Sequence, residues 1–217
     1  MDFHCQAIIF DVDGVLIDSD PVAERHWRAW ADRHGVDYDA IARIHHGRPT
    51  AETIRQVAPH VDIAREARIK ETAEADDTEG LILYAGVKEL LARLPRERWG
   101  VATSGTRRTV SLRFPYLGLS EPSVMVTADD VQRGKPAPDP YLLAAERLGV
   151  APADCLVIED APAGVEAAKA AGTKVIAVTT TNRAEDLGLA DAIAPALATL
   201  QISVGPNGLL VQVNDAG

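Results

Sequence analysis

Residues 7–19 read AIIFDVDGVLIDS. The run Ala7-Ile8-Ile9-Phe10 is short, apolar and rich in β-branched and aromatic residues, which predicts a buried strand rather than a helix. It stops at Asp11, and Asp13 and Gly14 follow at once. In an open parallel α/β sheet, ligands bind in the crevice outside the carboxyl ends of the strands. Two carboxylates one residue apart at such a point are held close by rigid backbone, and burying them unpaired is costly. A divalent cation, which takes oxygen ligands, is the simplest compensation. Asp and Gly are also ordinary turn formers, and two aspartates alone leave that reading open.

Working outward, Asp18-Ser19-Asp20-Pro21 predicts a helix start. Ser19 or Asp20 can cap free N–H groups, and Pro21 suits the first turn. Val22, Ala23, His26, Trp27, Trp30 and Arg33 recur at helical spacing up to Gly35, and a tryptophan stripe of this period reads as core. Residues 38–78 carry further helical patterns, with a highly charged, solvated helix over 63–78. Val87, Leu90, Leu91 and Leu94 mark an amphipathic helix that Pro95 stops. From Trp99 onward, strand-like runs at 99–103, 124–126, 155–159 and 174–179 alternate with helical patterns near 107–113, 139–148 and 162–171. Such alternation predicts α/β architecture, a Rossmann-like parallel sheet covered by helices. An all-helical segment over 17–81 interrupts it just after the first strand, so the expected core is 1–16 with 82–217. The tail QISVGPNGLLVQV, 201–213, predicts a β-hairpin around Gly205-Pro206-Asn207-Gly208.

The chain has 217 residues, ample for a real core, with 47% hydrophobic and 25% charged residues, as in ordinary globular proteins. Its net charge of −10 argues against a broad footprint for nucleic acid. Positive charge for an anionic ligand must therefore be concentrated locally. Cys5 and Cys155 each sit beside or within an apolar run and read as buried reduced thiols. No apolar stretch approaches membrane-spanning length, and MDFHCQ lacks the basic-then-apolar order of a signal peptide. A cytoplasmic monomer is expected.

Three further segments lie where strands should end. Thr103-Ser104-Gly105 offers small hydroxyls and approachable backbone N–H groups, which suit an anion, although Ser and Thr are equally common helix caps. In Gly134-Lys135-Pro136-Ala137-Pro138, Pro136 pushes Lys135 out of helical geometry, so a stiff turn presents one ammonium group. Glu159-Asp160 closes strand 155–159. Asp160 could cap the following helix, or face Asp11 and Asp13 from a neighbouring strand and complete a Mg²⁺ site.

In order, DVDGVLIDS, VATSGT, RGKPAPDPYLLAAERLG and VIEDAPAGVEAAKAAG resemble the motifs of the haloacid dehalogenase superfamily, in its phosphatase branch. They are closest to small sugar- and polyol-phosphate phosphatases, including hexose-phosphate, 2-deoxyglucose-6-phosphate and glycerol-phosphate phosphatases. The C-terminal hairpin looks like that of bacterial sugar-phosphatase members. The dehalogenases lack an acid at the position of Asp13, so the resemblance points to phosphoryl transfer. It implies Asp11 as nucleophile, Asp13 as acid and base, and Thr103 and Lys135 on the phosphoryl group, with Ser104 and Gly105 beside them. It further implies Mg²⁺ held by Asp11, the Asp13 backbone carbonyl and Asp160, with Glu159 acting directly or through water. The helical segment is then a cap that supplies specificity. His45-His46-Gly47-Arg48-Pro49-Thr50 resembles the family's substrate loop, and Arg48 can pair with phosphate or sugar hydroxyls. Adjacent histidines seldom converge on one ion, so His45 and His46 are not read as metal ligands. The partner implied is a small phosphorylated molecule. A β-phosphoglucomutase-like phosphomutase carries the same four motifs and is the rival reading.

Overall fold

The structure, a computed structural model, describes residues 1–213. The last four positions of the expected core segment 82–217 lie outside the described residues. The strand predicted at Ala7 is β2 (Ala7–Phe10), and a short β1 (Asp2–Cys5) precedes it. Strands β5 (Trp99–Ala102), β6 (Met125–Val126), β7 (Cys155–Glu159), β8 (Lys174–Val178) and β9 (Ala192–Ala194) join β2 in one sheet. Its order is β6-β5-β2-β7-β8-β9, and every pairing is parallel. Asp11 therefore leaves the sheet from a central strand, between the ends of β5 and β7.

Both faces of this sheet are covered, which is why β2 is apolar throughout rather than alternating. Ile8 and Phe10 face one way, toward α5 (Val87–Arg93) and α6 (Arg107–Tyr116). Ala7 and Ile9 face the other, toward α7 (Asp139–Leu148) and α8 (Pro162–Ala170). The tail forms the expected hairpin, β10 (Leu200–Gly205) and β11 (Gly208–Val213). It also pairs with β1, and the apolar face of this three-stranded sheet joins the first core through Phe3, Leu209, Val211 and Val213. Neither β1 nor β9 was legible in advance: each has only three or four residues, and β1 pairs with a strand about 200 positions away.

Between β3 (Ile17–Asp18) and β4 (Ile82–Leu83), which pair antiparallel, the chain inserts only helices. These are α1 (Asp20–His34), α2 (Tyr38–Ala42), α3 (Thr50–Val57) and α4 (Ile63–Ala75). They bury a core of their own from Trp27, Trp30, Ala31, Ile41, Ile54 and Ala67. The two tryptophans meet edge to face, with ring centroids 5.8 Å apart. Gly35 ends α1 with φ +64°, a left-handed cap that glycine adopts without Cβ strain. The predicted start is half right. Pro21 lies in the first turn, but the Ser19 hydroxyl does not cap the helix, because it donates to Asp13 instead.

Candidate active site

Asp11, Lys135, Glu159 and Tyr141 form one buried cluster at the carboxyl edge of the sheet. Asp11 is the first residue after β2, and its Oδ1 accepts from the Val12 N–H at 2.7 Å. Lys135 is completely buried, with Nζ 3.0 Å from Asp11 Oδ1 and 2.7 Å from Glu159 Oε1. Glu159 also accepts from the Tyr141 hydroxyl at 2.7 Å, and its Oε2 accepts from the backbone N–H groups of Asp160 and Ala161. Room for that carboxylate comes from Gly164 in α8, whose missing Cβ would stand 1.6 Å from Glu159 Oε1.

The electrostatics follow from this packing. Burial pushes the Asp11 carboxyl up to about 7, against the pull of Lys135 and with the added push of Glu159 and Asp13. Burial alone would depress the Lys135 ammonium, but Asp11 and Glu159 outweigh it and hold it above its ordinary value. Burial likewise opposes the Glu159 charge, and Lys135 with the backbone donors holds that carboxyl below the usual range.

Asp160 follows β7 directly. It does not cap α8, where Ala161 is the N-cap and supplies no side-chain bond. Its Oδ2 accepts from the Thr181 hydroxyl, while Oδ1 is buried with no hydrogen-bond partner among the described residues. Burial, then the charges of Glu159 and Asp11, drive its carboxyl well above the normal value. Gly14, at φ +82°, lets Asp160 come this close: a Cβ there would fall 2.0 Å from Oδ2. One oxygen each from Asp11, Glu159 and Asp160 lies within 4.8 Å of the others. An orphaned buried oxygen and three crowded carboxylates that share the single ammonium of Lys135 fit a divalent cation, which would offset the remaining negative charge. Glu159 belongs to the cluster by distance, yet both its oxygens are already doubly bonded to donors.

The Asp13 carboxylate turns away from that cluster. Its Oδ1 accepts from the Ser19 hydroxyl and from Arg113 Nη1 at 2.8 Å, and the side chain remains 38% exposed to the cavity. Thr103 is buried, and its Oγ1 accepts from the Gly105 N–H at 3.0 Å, which closes a tight turn after β5. The Ser104 hydroxyl donates to the Gly47 carbonyl at 3.1 Å, so it ties the sheet edge to the helical insertion. Gly47 and Pro49 press on loops of the sheet: a Cβ on Gly47 would be 2.5 Å from the Ala161 Cβ, and one on Gly134 2.5 Å from Pro49 Cγ. The His45 and His46 rings lie 3.9 Å apart between centroids, tilted by 32°, and His46 Nε2 lies 3.1 Å from Asp20 Oδ1. Arg48 is exposed and reaches Gln56 only at 3.4 Å, on the rim of the same cavity.

A cavity of about 100 Å³ lies between sheet edge and insertion. Asp11, Asp13, Thr103–Gly105 and Asp160 line it from below, and Gly47 and Arg48 from above. Lys135 and Glu159 stand behind Asp11, outside the lining. Sequence reasoning missed Tyr141, Thr181, and the trio Arg113, Glu74 and Lys70. Arg113 had a signal: Thr109, Val110, Arg113 and Phe114 form the inward stripe of α6, where a charged residue is out of place.

A parallel sheet with a buried carboxylate just past its central strand, facing a cavity beneath a helical insertion, is an α/β architecture with its candidate site at the carboxyl edge. The chain belongs to the haloacid dehalogenase-like hydrolase family, whose sequence model matches residues 5–172. It is 40% identical over 210 residues to hexitol phosphatase A of Escherichia coli, covering 94% of this chain and 97% of that protein. It is 39% identical over 189 residues to glycerol-1-phosphate phosphohydrolase 2 of Saccharomyces cerevisiae, covering 81% of this chain and 75% of that protein. The crystal structure of CbbY from Rhodobacter sphaeroides in complex with phosphate superposes with a TM-score of 0.78 at 27% identity. That match covers 89% of this chain and 95% of the other.

Proposed function

We propose that this protein hydrolyses phosphate monoesters of small sugars or polyols in two steps through an aspartyl phosphate on Asp11. The observation that carries this reading is Lys135 Nζ, buried 3.0 Å from Asp11 Oδ1 directly behind the cavity that Asp11, Asp13, Asp160 and Thr103 help to line. A cation fixed there steadies the Asp11 carboxylate and offsets the charge of an arriving phosphate. The Asp11 carboxylate attacks phosphorus, and the bond from phosphorus to the leaving oxygen breaks. Asp13 gives that oxygen a proton, then takes one from the water that attacks phosphorus and releases Asp11 with inorganic phosphate. The Thr103 hydroxyl and the backbone N–H of Ser104 hold the phosphoryl oxygens, and Gly105, whose own N–H is bonded to Thr103 Oγ1, fixes the turn that presents them. The Ser104 side chain is committed to Gly47, so its backbone carries this role.

Asp11, the Asp13 backbone carbonyl and Asp160 would hold Mg²⁺, with Glu159 acting through Lys135 or a water. Bound there, the ion would supply charge neutralisation at the phosphoryl oxygens. Residues 17–81 act as the cap over a core of 1–16 and 82–217. In that reading the loop of Gly47 and Arg48 recognises the alcohol part of the substrate.

Phosphate release from fructose 1-phosphate, sorbitol 6-phosphate and glycerol 1-phosphate, with Mg²⁺ and with EDTA, tests the reading. Turnover lost in EDTA, restored by Mg²⁺ and abolished in a folded Asp11→Asn protein is the expected result. Retained turnover in that variant sinks the nucleophile assignment. The four motifs equally serve a phosphomutase, which passes the phosphoryl group to a second sugar hydroxyl. Conversion of β-glucose 1-phosphate to glucose 6-phosphate without phosphate release is the outcome that would favour it.

A further inference from the structure

Two side chains near the cavity are out of place by local rules. Arg113 lies on the buried stripe of α6 and is only 2% exposed. Glu74 lies in the last turn of α4, where the helix dipole disfavours an acid, and no basic residue occupies that turn. Its partner Lys70 precedes it by four positions, the weaker order for such a pair. These two misfits meet each other. Arg113 Nη2 is 3.5 Å from Glu74 Oε1, and Lys70 pairs with Glu74 Oε2. The other arm of Arg113 reaches Asp13 Oδ1 at 2.8 Å. Every hydrogen bond of the Arg113 side chain among the described residues thus goes to a carboxylate, one on each side of the cavity. Local rules are broken where function or strain demands it.

We propose that Arg113 is a positioning residue for Asp13, and that Glu74 is the handle by which the helical insertion sets it. The inference rests on the proton-transfer role proposed above for Asp13. Arg113 and Ser19 together hold Oδ1, which fixes the carboxylate plane and leaves Oδ2 for the substrate. That second oxygen points toward the turn after β5: it would stand 3.9 Å from a Cβ on Gly105. A planar guanidinium, with donors fixed in a fork, can hold two carboxylates in one geometry, which a lysine cannot. When the insertion is seated, Glu74 draws Arg113 into line and Asp13 faces the leaving oxygen. When it is not seated, Arg113 loses its second anchor and Asp13 its orientation. Lys70 balances Glu74, so the array of Asp13, Arg113, Glu74 and Lys70 is neutral with Asp13 as carboxylate and carries one positive charge when Asp13 holds the proton it donates.

The test uses two substrates that differ in their need for a proton. Fructose 1-phosphate leaves as an alkoxide and needs one, whereas p-nitrophenyl phosphate leaves as a stable phenolate and does not. In kcat/KM, which reports the first chemical step, Arg113→Met is expected to lower the ratio of fructose 1-phosphate to p-nitrophenyl phosphate by about 10- to 100-fold. Arg113→Lys should recover part of that ratio, and Glu74→Gln should lower it in the same direction by a smaller factor. An equal loss on both substrates would mean that Arg113 only staples α6 to α4, and would overturn the proposal. Asp13→Asn is run alongside. If it discriminates and the Arg113 and Glu74 variants do not, the positioning proposal alone falls. If Asp13→Asn lowers both substrates equally, the role of Asp13 fails first and takes the proposal with it. Should Arg113→Met not fold by circular dichroism, Arg113→Lys and Glu74→Gln decide the matter by the same ratio.

Discussion

Gly164→Ala reverses the usual sign of a helix substitution. In an ordinary helix interior this change stabilises by about 1 kcal/mol, because glycine is the poorer helix former. Gly164 lies in the first turns of α8, and an added Cβ would sit 1.6 Å from Glu159 Oε1 and 2.0 Å from its Cδ. A flexible carboxylate could normally swing aside. This one is fully buried and fixed by four donors: Lys135 and Tyr141 at 2.7 Å, and the N–H groups of Asp160 and Ala161 at 2.8 and 3.0 Å. Moving it pulls the Glu159 charge away from Lys135 and its other buried donors, and breaking a buried ion pair costs about 3–5 kcal/mol. The expected net effect is a destabilisation of about 2–4 kcal/mol, the pair penalty less the helix gain. Urea unfolding at constant m-value measures it. A cycle with Glu159→Ala isolates the cause: in that background Gly164→Ala should be neutral or stabilising. A wild-type background in which Gly164→Ala stabilises would refute the reasoning, because Glu159 would then have room that the structure denies it.

Two more outcomes follow from the insertion and its loop. Gly47 has φ +69° and presses on Ala161, so Gly47→Ala should cost about 1–2 kcal/mol for the left-handed backbone and push the loop off the sheet edge. A fall of about tenfold in kcat/KM is expected; unchanged kinetics would mean the loop does not need that seat. His45 is half-buried, and its ring is held down to about 3 by burial first, then by His46 and Lys70. The fold favours the neutral ring, so its contribution is intact above the ordinary histidine value and drains away as pH falls from about 6.5 toward 3. Relative to His45→Gln, the wild type should lose about 1 kcal/mol per pH unit in that window, somewhat under the full proton-linkage slope because the ring keeps some solvent. Equal acid sensitivity of the two proteins in urea melts would contradict the burial argument.

Which parts of this molecule were legible beforehand follows from how far each depends on neighbours in sequence. Ala7–Phe10, Trp99–Ala102, Cys155–Glu159 and Lys174–Val178 are apolar runs between helical patterns, too short for helices and rich in β-branched residues, which reads as buried strands of a covered sheet. Once they are parallel, Asp11, Thr103 and Asp160 must emerge at one edge, because parallel strands present all their carboxyl ends together. The tryptophan stripe of α1 was equally readable, since helical period and burial go together.

Other features came only from closure of the chain. Arg113 meets Asp13 across 100 positions, and Lys135 meets Glu159 across 24. The stripe of RRTVSLRFPY turns Arg113 inward, but nothing in it says which carboxylate the guanidinium meets. The resemblance implies that Glu159 serves the metal directly or through water; the fold surrounds it with four donors and makes it the counter-ion of Lys135. Ser19 and Ser104, plausible as a helix cap and an anion donor, were drawn to Asp13 and Gly47 by what lay opposite them. Composition and period determined the layers and the edge where the reacting groups collect, because those depend on where apolar surface must go. Which polar atom satisfies which was left to the tertiary structure, because a buried donor takes whatever acceptor the packing brings within about 3 Å.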